Sequence, residues 1–506
     1  MVRRRVCCQT FLVVALTASS PATARAYEAD VDSSFTGQWY TLSSPYGEPL
    51  VRRRRYTQML GLTLYDLQGD FVPGGPQLSF KSRMRIDADF GQSSSERNPG
   101  DDGRYVPGLR QAPLDLMYAY LEGRRYFGGW FGFRLGRQYV TDMLGWWSFD
   151  GGMVRLTTPA FFQVEAYGGF EQRGGLPMLS TSRFEGDGVY RGERSALESN
   201  QWPGYLSESK PAPAYGFAVE SSGVQWLHGR LSYRKVMNRD TVVVSPFPDA
   251  QNRYTVVGGN RVSSEKLGYS ARLEASALGS ISGNFVYDLY NQVFSQYQGS
   301  LDWYATPRVD VGANYDYYLP TFDGDSIFNW FAHGGMQRAI VRTSWRIVPP
   351  LVVSAAGGVQ LYSTDGNPDS YATAAATPGA TPVQTGNALL LDTVARVGGS
   401  YRWSDGSLAL ASLLQTGQTG HQAGADITTK RRFLGGFYDT LVIVSLYDWR
   451  DALRPGRNAT SFTYVLGGGV SPLRRMRFGV EWEHSMNRLV GQRFRALATL
   501  DVAVSR

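Results

Sequence analysis

The stretch "QLSFKSRMRIDADFG", residues 77–91, sets Lys81, Arg83, Arg85, Asp87 and Asp89 on every second position. Leu78, Phe80, Met84, Ile86, Ala88 and Phe90 fill nearly all the places between. A period of two is the side-chain period of a β-strand, so one face of this segment is apolar and the other is densely charged. A lone arginine on the lipid face of a barrel costs about 2–4 kcal/mol at the bilayer midplane. Three basic groups placed there would consume much of a typical folding stability of about 5–15 kcal/mol. If the apolar face meets hydrocarbon, Lys81, Arg83 and Arg85 must face a wet interior.

The same alternation recurs along the chain. In "SEKLGYSARLEASA", Leu267, Tyr269, Ala271, Leu273 and Ala275 oppose Gly268, Ser270, Arg272 and Glu274. In "RVDVGANYDYYL", Val309, Val311, Ala313, Tyr315 and Tyr317 oppose Asp310, Gly312, Asn314 and Asp316. A soluble sandwich also alternates, but two features separate this chain from one. Its alternating runs are commonly about 10–13 residues long, where soluble strands average about 5–6 and a tilted membrane-spanning strand needs about 9–11. The apolar faces also end in aromatics, such as Tyr118 and Tyr120, Tyr315 and Tyr317, and Tyr401 and Trp403, the pattern of interfacial girdles.

Composition agrees with a large folded protein: 506 residues, 42% apolar and 13% aromatic, with 58 glycines and 24 prolines. No later segment reaches the length of apolar sequence that a transmembrane helix needs. Residues 1–26 combine Arg3, Arg4 and Arg5, an apolar core from Phe11 to Ala18, and Ala24-Arg25-Ala26, the form of a cleaved secretory signal. Cleavage is expected before Tyr27. It would remove both cysteines, Cys7 and Cys8, so the remainder can have no disulfide and no thiolate metal site. It would also take four arginines and no acid, lowering the net charge from +7 to +3, which argues against nucleic acid as a partner.

Tight connections at Thr158-Pro159, Val348-Pro349-Pro350, Ser404-Asp405-Gly406 and Ser471-Pro472 alternate with long polar ones near 91–112, 140–152, 172–212, 237–263, 320–336 and 363–387. Short turns at one end and long loops at the other are the asymmetry of an outer-membrane barrel. This rule gives 22 strands, with 20 and 24 left open, among them 77–90, 129–139, 152–158, 407–416, 428–438 and 492–504. The signal, the dyad strands, the turn pattern and the closing "FRALATLDVAV" together resemble a bacterial outer-membrane porin-like β-barrel. The resemblance implies an all-β fold, a closed antiparallel transmembrane barrel over residues 27–506, exported through the periplasm to the bacterial outer membrane. Too few residues precede the first strand to encode an N-terminal plug. One departure is the terminal Val504-Ser505-Arg506, where such chains end on an aromatic.

Inward positions give candidate lumen residues. Lys81, Arg83, Arg85, Arg342, Arg346, Arg396 and Arg402 form a basic set, and Asp288, Asp302, Asp310 and Asp316 an acidic one. Opposed walls would make a transverse field, whereas mutual pairing would only satisfy the charges. The segment 172–212, the longest loop, fits either an inward constriction or an external loop. Trp146 and Trp147, with Phe149, are expected in a loop beyond the fifth strand, and Phe328 and Trp330 in a later one. Such rings can stack on sugars, dock a partner or cap the barrel mouth.

No His-x-x-x-His pair, Gly-x-Ser-x-Gly elbow or phosphate loop is present. Asp323, Asp325 and Asn329 depart from calcium-loop spacing. No catalytic residue, metal or cofactor is expected, and the chain does not read as an enzyme. Two functions fit: a channel for passive diffusion or export of polar solutes or polymers, and a structural or adhesive scaffold with an occluded lumen. Expected partners are outer-membrane lipid and a solute or polysaccharide. A homo-oligomer or an envelope-complex partner is left open.

Overall fold

A computed structural model describes residues 28–43, 49–69, 72–89, 114–171, 212–238, 242–243, 256–257, 261–275, 278–321, 334–364, 388–452, 456, 458–473, 475–489 and 491–505. The signal segment, nearly all of the 172–212 loop, Phe328, Trp330 and the Asp323–Asn329 group lie outside the described residues.

Twenty-two strands form one antiparallel sheet. They are β1 Ala29–Ser43, β2 Pro49–Leu64, β3 Gln77–Asp89, β4 Leu114–Arg125, β5 Phe131–Asp142, β6 Gly145–Thr157, β7 Phe162–Glu171, β8 Ala212–Ser221, β9 Leu227–Asn238, β10 Arg261–Ala275 and β11 Gly279–Asp288. There follow β12 Val293–Thr306, β13 Val309–Tyr318, β14 Met336–Val348, β15 Leu351–Thr364, β16 Ala388–Trp403, β17 Gly406–Gly417, β18 Gly420–Phe433, β19 Tyr438–Asp451, β20 Ala459–Leu473, β21 Met476–Asn487 and β22 Gly491–Ser505. Each strand pairs with the next, and β1 pairs with β22 from Asp30↔Ser505 to Leu42↔Arg493, so the sheet is a closed ring without a free side edge at its ends. A separate two-stranded ladder joins Val242 and Val243 to Val256 and Val257.

Directly opposed residues share a face, so the register assigns faces around the whole ring. Arg83 opposes Gly61 and Tyr118, and Gly61 opposes Asp32. The other face carries Trp39, Ile86, Leu135, Ile281, Leu301, Trp303, Val341, Trp345, Val397, Leu410, Leu446 and Trp482, all exposed. An apolar belt of this extent around a closed sheet has no partner among the described residues and is built for hydrocarbon. Arg54 lies 4.8 Å from the Trp39 ring near one end of the belt, a cation–π anchor of the kind that suits a membrane interface.

The alternation of short and long connections expected from the sequence meets two exceptions in the ring. Residues 140–152 are not a loop: β5 and β6 run on to a two-residue turn at Met143-Leu144. Likewise β17 and β18 meet at a tight turn after Gly417, so the strand expected at 428–438 begins instead at Gly420, whose φ of 139° admits only glycine comfortably. One end of the barrel has short turns apart from the 65–76 connection, and the other includes tight turns at 143–144, 289–292 and 418–419 beside the longer connections.

Candidate functional site

The β5–β6 hairpin leaves the wall partway along its length. β4 pairs with β5 only from Ala119↔Arg137 to Gly123↔Phe133. β6 pairs with β7 only from Phe149↔Glu171 to Thr157↔Gln163. The two strands nevertheless stay paired with each other to Asp142↔Gly145, so among the described residues 138–148 form strand pairs only within their own hairpin. Their tip crosses the inner face to β10. A Cβ at Gly268 would lie 2.7 Å from Leu144 Cδ2 and 3.3 Å from Met143 Cβ, so the approach requires glycine there. Arg234 of β9 donates from Nη2 to Leu144 O at 2.6 Å.

Packing explains why the tip stays down. Trp147 stacks on Phe149 with centroids 4.5 Å apart, and each lies 5.6 Å from Tyr167 on β7. Val140, Met153, Ala212, Ala214 and Val236 complete a buried cluster, with the two alanines of β8 leaving room for the rings. Trp147 Nε1 donates to Glu171 at 3.1 Å, and the Arg234 guanidinium lies 5.4 Å from the Trp147 ring. Gln138 Nε2 donates to Gly151 O at 3.0 Å. Burying an aromatic of this size is worth about 1.5–3 kcal/mol before the ring contacts are added. The expectation that Trp146, Trp147 and Phe149 sit in an external loop is therefore corrected. They belong to β6, and Trp147 and Phe149 are sealed inside the barrel.

Tyr118 and Tyr120 also need correcting, because they oppose Arg83 and Lys81 and so point inward, not into the lipid girdle. Tyr315, Tyr317 and Tyr401 occupy the opposite register face from Asp316 and Arg402, as expected for the belt.

All eleven charged residues expected on the inner face occupy one register face. Many are engaged. Lys81 meets Glu122 at 3.0 Å, and Arg124 and Arg134 meet the same buried carboxylate at 2.9 and 2.8 Å. Arg83 lies 3.6 Å from Asp32, and Arg85 is buried. Arg342 pairs with Asp302, and Arg338 with Asp316 at 3.0 Å. Asp288 accepts from the backbone and side chain of Asn291 at 2.9 and 3.0 Å, closing the β11–β12 turn. Of the acids on β11–β13, Asp302 and Asp316 are thus neutralised by β14. Among the described residues, Asp310, Arg346, Arg396 and Arg402 make no ion pair.

A second cluster had no forecast. Glu165 of β7 is buried between Arg155 and Arg230, each at 2.8 Å, and Arg230 also meets Glu220 at 2.7 Å. The signal lay in the alternation of "FQVEAYGGFE", which sets Glu165, Tyr167 and Glu171 on one face. On the far side of the ring the wall frames a hollow of 890 Å³ lined by Arg402, Lys430, Asp439, Arg477 and Glu481. The hairpin therefore fills one side of the lumen and leaves a charged, solvated side.

No protein-family model and no curated protein matches the chain. Among solved structures, OccAB2 of Acinetobacter baumannii matches at 8% identity over 94% of this chain and 98% of its own, with a TM-score of 0.43. OccK1 (OpdK) of Pseudomonas aeruginosa matches at 9% identity over 94% and 99%, with a TM-score of 0.41. OpdL of Pseudomonas aeruginosa matches at 9% identity over 95% and 99%, with a TM-score of 0.42. By its closed ring, apolar belt and charged interior, the chain is a closed 22-stranded antiparallel β-barrel.

Proposed function

We propose that this barrel is a non-enzymatic outer-membrane channel for passive diffusion of polar solutes, reached by export through the periplasm, with its bore set by the β5–β6 hairpin. The observation that carries the reading is the departure of residues 138–148 from the wall to meet Gly268. A hairpin sealed onto one side of the lumen narrows it without filling it. Arg346, Arg396, Arg402 and Lys430 stay exposed on the opposite side, where a hydrated solute would meet them. Exposed guanidinium and ammonium groups free of ion pairs favour anionic groups on that solute.

Planar-bilayer recording of the purified protein tests this. Stepwise currents are expected, and the Trp147→Ala/Phe149→Ala variant, which unseats the hairpin, should raise the unitary conductance. A protein that inserts, shows heat-modifiable gel mobility and passes no stepwise current would instead be the scaffold with an occluded lumen.

A further inference from the structure

The end of the barrel that holds Ala29 and Ser505 is where bulky residues take a left-handed backbone. Six non-glycine residues among those described have positive φ, and five of them lie at this end, in or next to its turns: Asp66, Arg125, Phe127, Phe161 and Leu434. A residue with a Cβ is disfavoured in that region, and glycine or asparagine would hold the place at little cost. Phe127 (φ 51°), Phe161 (φ 63°) and Leu434 (φ 49°) instead occupy the β4–β5, β6–β7 and β18–β19 turns, and they are 83%, 63% and 79% exposed. Strain kept at a turn to present an apolar side chain outward calls for something there to receive it.

The tips continue the apolar belt. On the outward face of β5, Phe133 and Phe131 follow Leu135 toward the turn with their rings 6.1 Å apart, and the Phe127 ring lies 5.9 Å from that of Phe131. Around the β18–β19 turn Phe433, Phe437 and Tyr438 are exposed beside Leu434, and Arg431 lies 4.9 Å from the Phe433 ring, as Arg54 lies over Trp39 at the opposite end. The tips also stand on separate arcs of the ring. Strands β10–β17 divide β18 from the β8–β9 turn, where Trp226 is exposed, and β20–β22 with β1–β3 divide β19 from β4. Apolar groups on opposite arcs match a phase that surrounds the barrel, where a docked protein would meet one contiguous patch. Arg125 and Arg308, both exposed at this end, make no ion pair among the described residues and suit phosphate oxygens. We infer that, in the outer-membrane barrel proposed above, the turns at this end are seated in the phospholipid of the periplasmic leaflet. Phe127, Phe161 and Leu434 lie among its acyl chains, and Arg125 and Arg308 meet its phosphates. The lumen then opens at headgroup level.

The test needs no current. A bimane fluorophore is attached to Phe127→Cys or Leu434→Cys, and because Cys7 and Cys8 are the chain's cysteines, a chain lacking both carries the label at one place. The labelled barrel is reconstituted in vesicles of phosphatidylethanolamine and phosphatidylglycerol with brominated or ordinary acyl chains, and iodide on both sides of the bilayer serves as the aqueous quencher. Quenching by the brominated chains should approach that of Leu410→Cys in the apolar belt, and quenching by iodide should fall below that of Ser300→Cys on the inner wall. If Leu410→Cys is quenched by the lipid while the tips are quenched by iodide alone, the seat is overturned and a periplasmic protein is left to cover them. If the brominated chains do not reach Leu410→Cys either, the membrane barrel itself is overturned. Phe161→Cys replaces either tip that fails to assemble, with the same outcomes.

Discussion

Asp439 and Arg477 lie on β19 and β21, two strands apart, and their side chains meet at 2.8 Å over Gly469 of the strand between. A Cβ at Gly469 would stand 2.5 Å from Asp439 Oδ1 and 2.8 Å from Arg477 Nη2. The arrangement recurs where Asp302 and Arg342 meet over Gly312, and where Asp32 faces Arg83 across Gly61. Pairs of this kind span a strand, so the missing side chain beneath them is part of the interaction.

Gly312→Val should therefore disrupt the Asp302–Arg342 pair by collision from below. Overpacking of this sort costs about 1–3 kcal/mol, and the temperature at which gel mobility converts to the unfolded position should fall. Gly299→Ala is the control, because a Cβ there meets nothing within 4 Å.

Glu122→Gln leaves Lys81, Arg124 and Arg134 around a neutral amide. Removing one partner of a buried charge network costs about 3–5 kcal/mol. If the barrel still assembles, its lumen gains positive charge, and the reversal potential in a potassium chloride gradient should move toward that of chloride.

Gly268→Leu occupies the place where Leu144 docks. The tip must lift, so unitary conductance should rise with more frequent current fluctuations, while heat-modifiable mobility persists because Gly268 keeps its place in the β9–β10–β11 ladder.

Trp147→Ala removes the largest buried side chain of the hairpin seat, worth about 3–5 kcal/mol for a large-to-small change in a packed cluster. Proteolysis of the assembled barrel in vesicles should then cut within residues 138–148, where the parent protein resists.

Ring closure, face assignment and strand number were legible because lipid on one side and water on the other enforce period two, as at Ile86 and Arg85. The hairpin was not, for the same physical reason. "GWWSFDGG" is covered on both faces, so Trp146, Trp147 and Phe149 show no alternation and read as a loop. Tyr118 and Tyr120 misled because tyrosine suits a membrane interface and a wet interior equally, and the pairing with Lys81 and Arg83 decides between them. Ion pairs that straddle a glycine join residues separated by a whole strand, and no local pattern records them.

The ladder that joins β1 to β22 brings together residues from opposite ends of the chain, from Asp30 with Ser505 to Leu42 with Arg493. Every other strand can find its neighbour while the polypeptide is still being delivered, but this last junction has to wait for the whole of it. Contacts so distant in sequence are slow to form, and until they do the sheet exposes two long unpaired margins. The molecule therefore has no smaller resting form in hydrocarbon: losing β22 yields an open ribbon, and insertion must be finished as a single event.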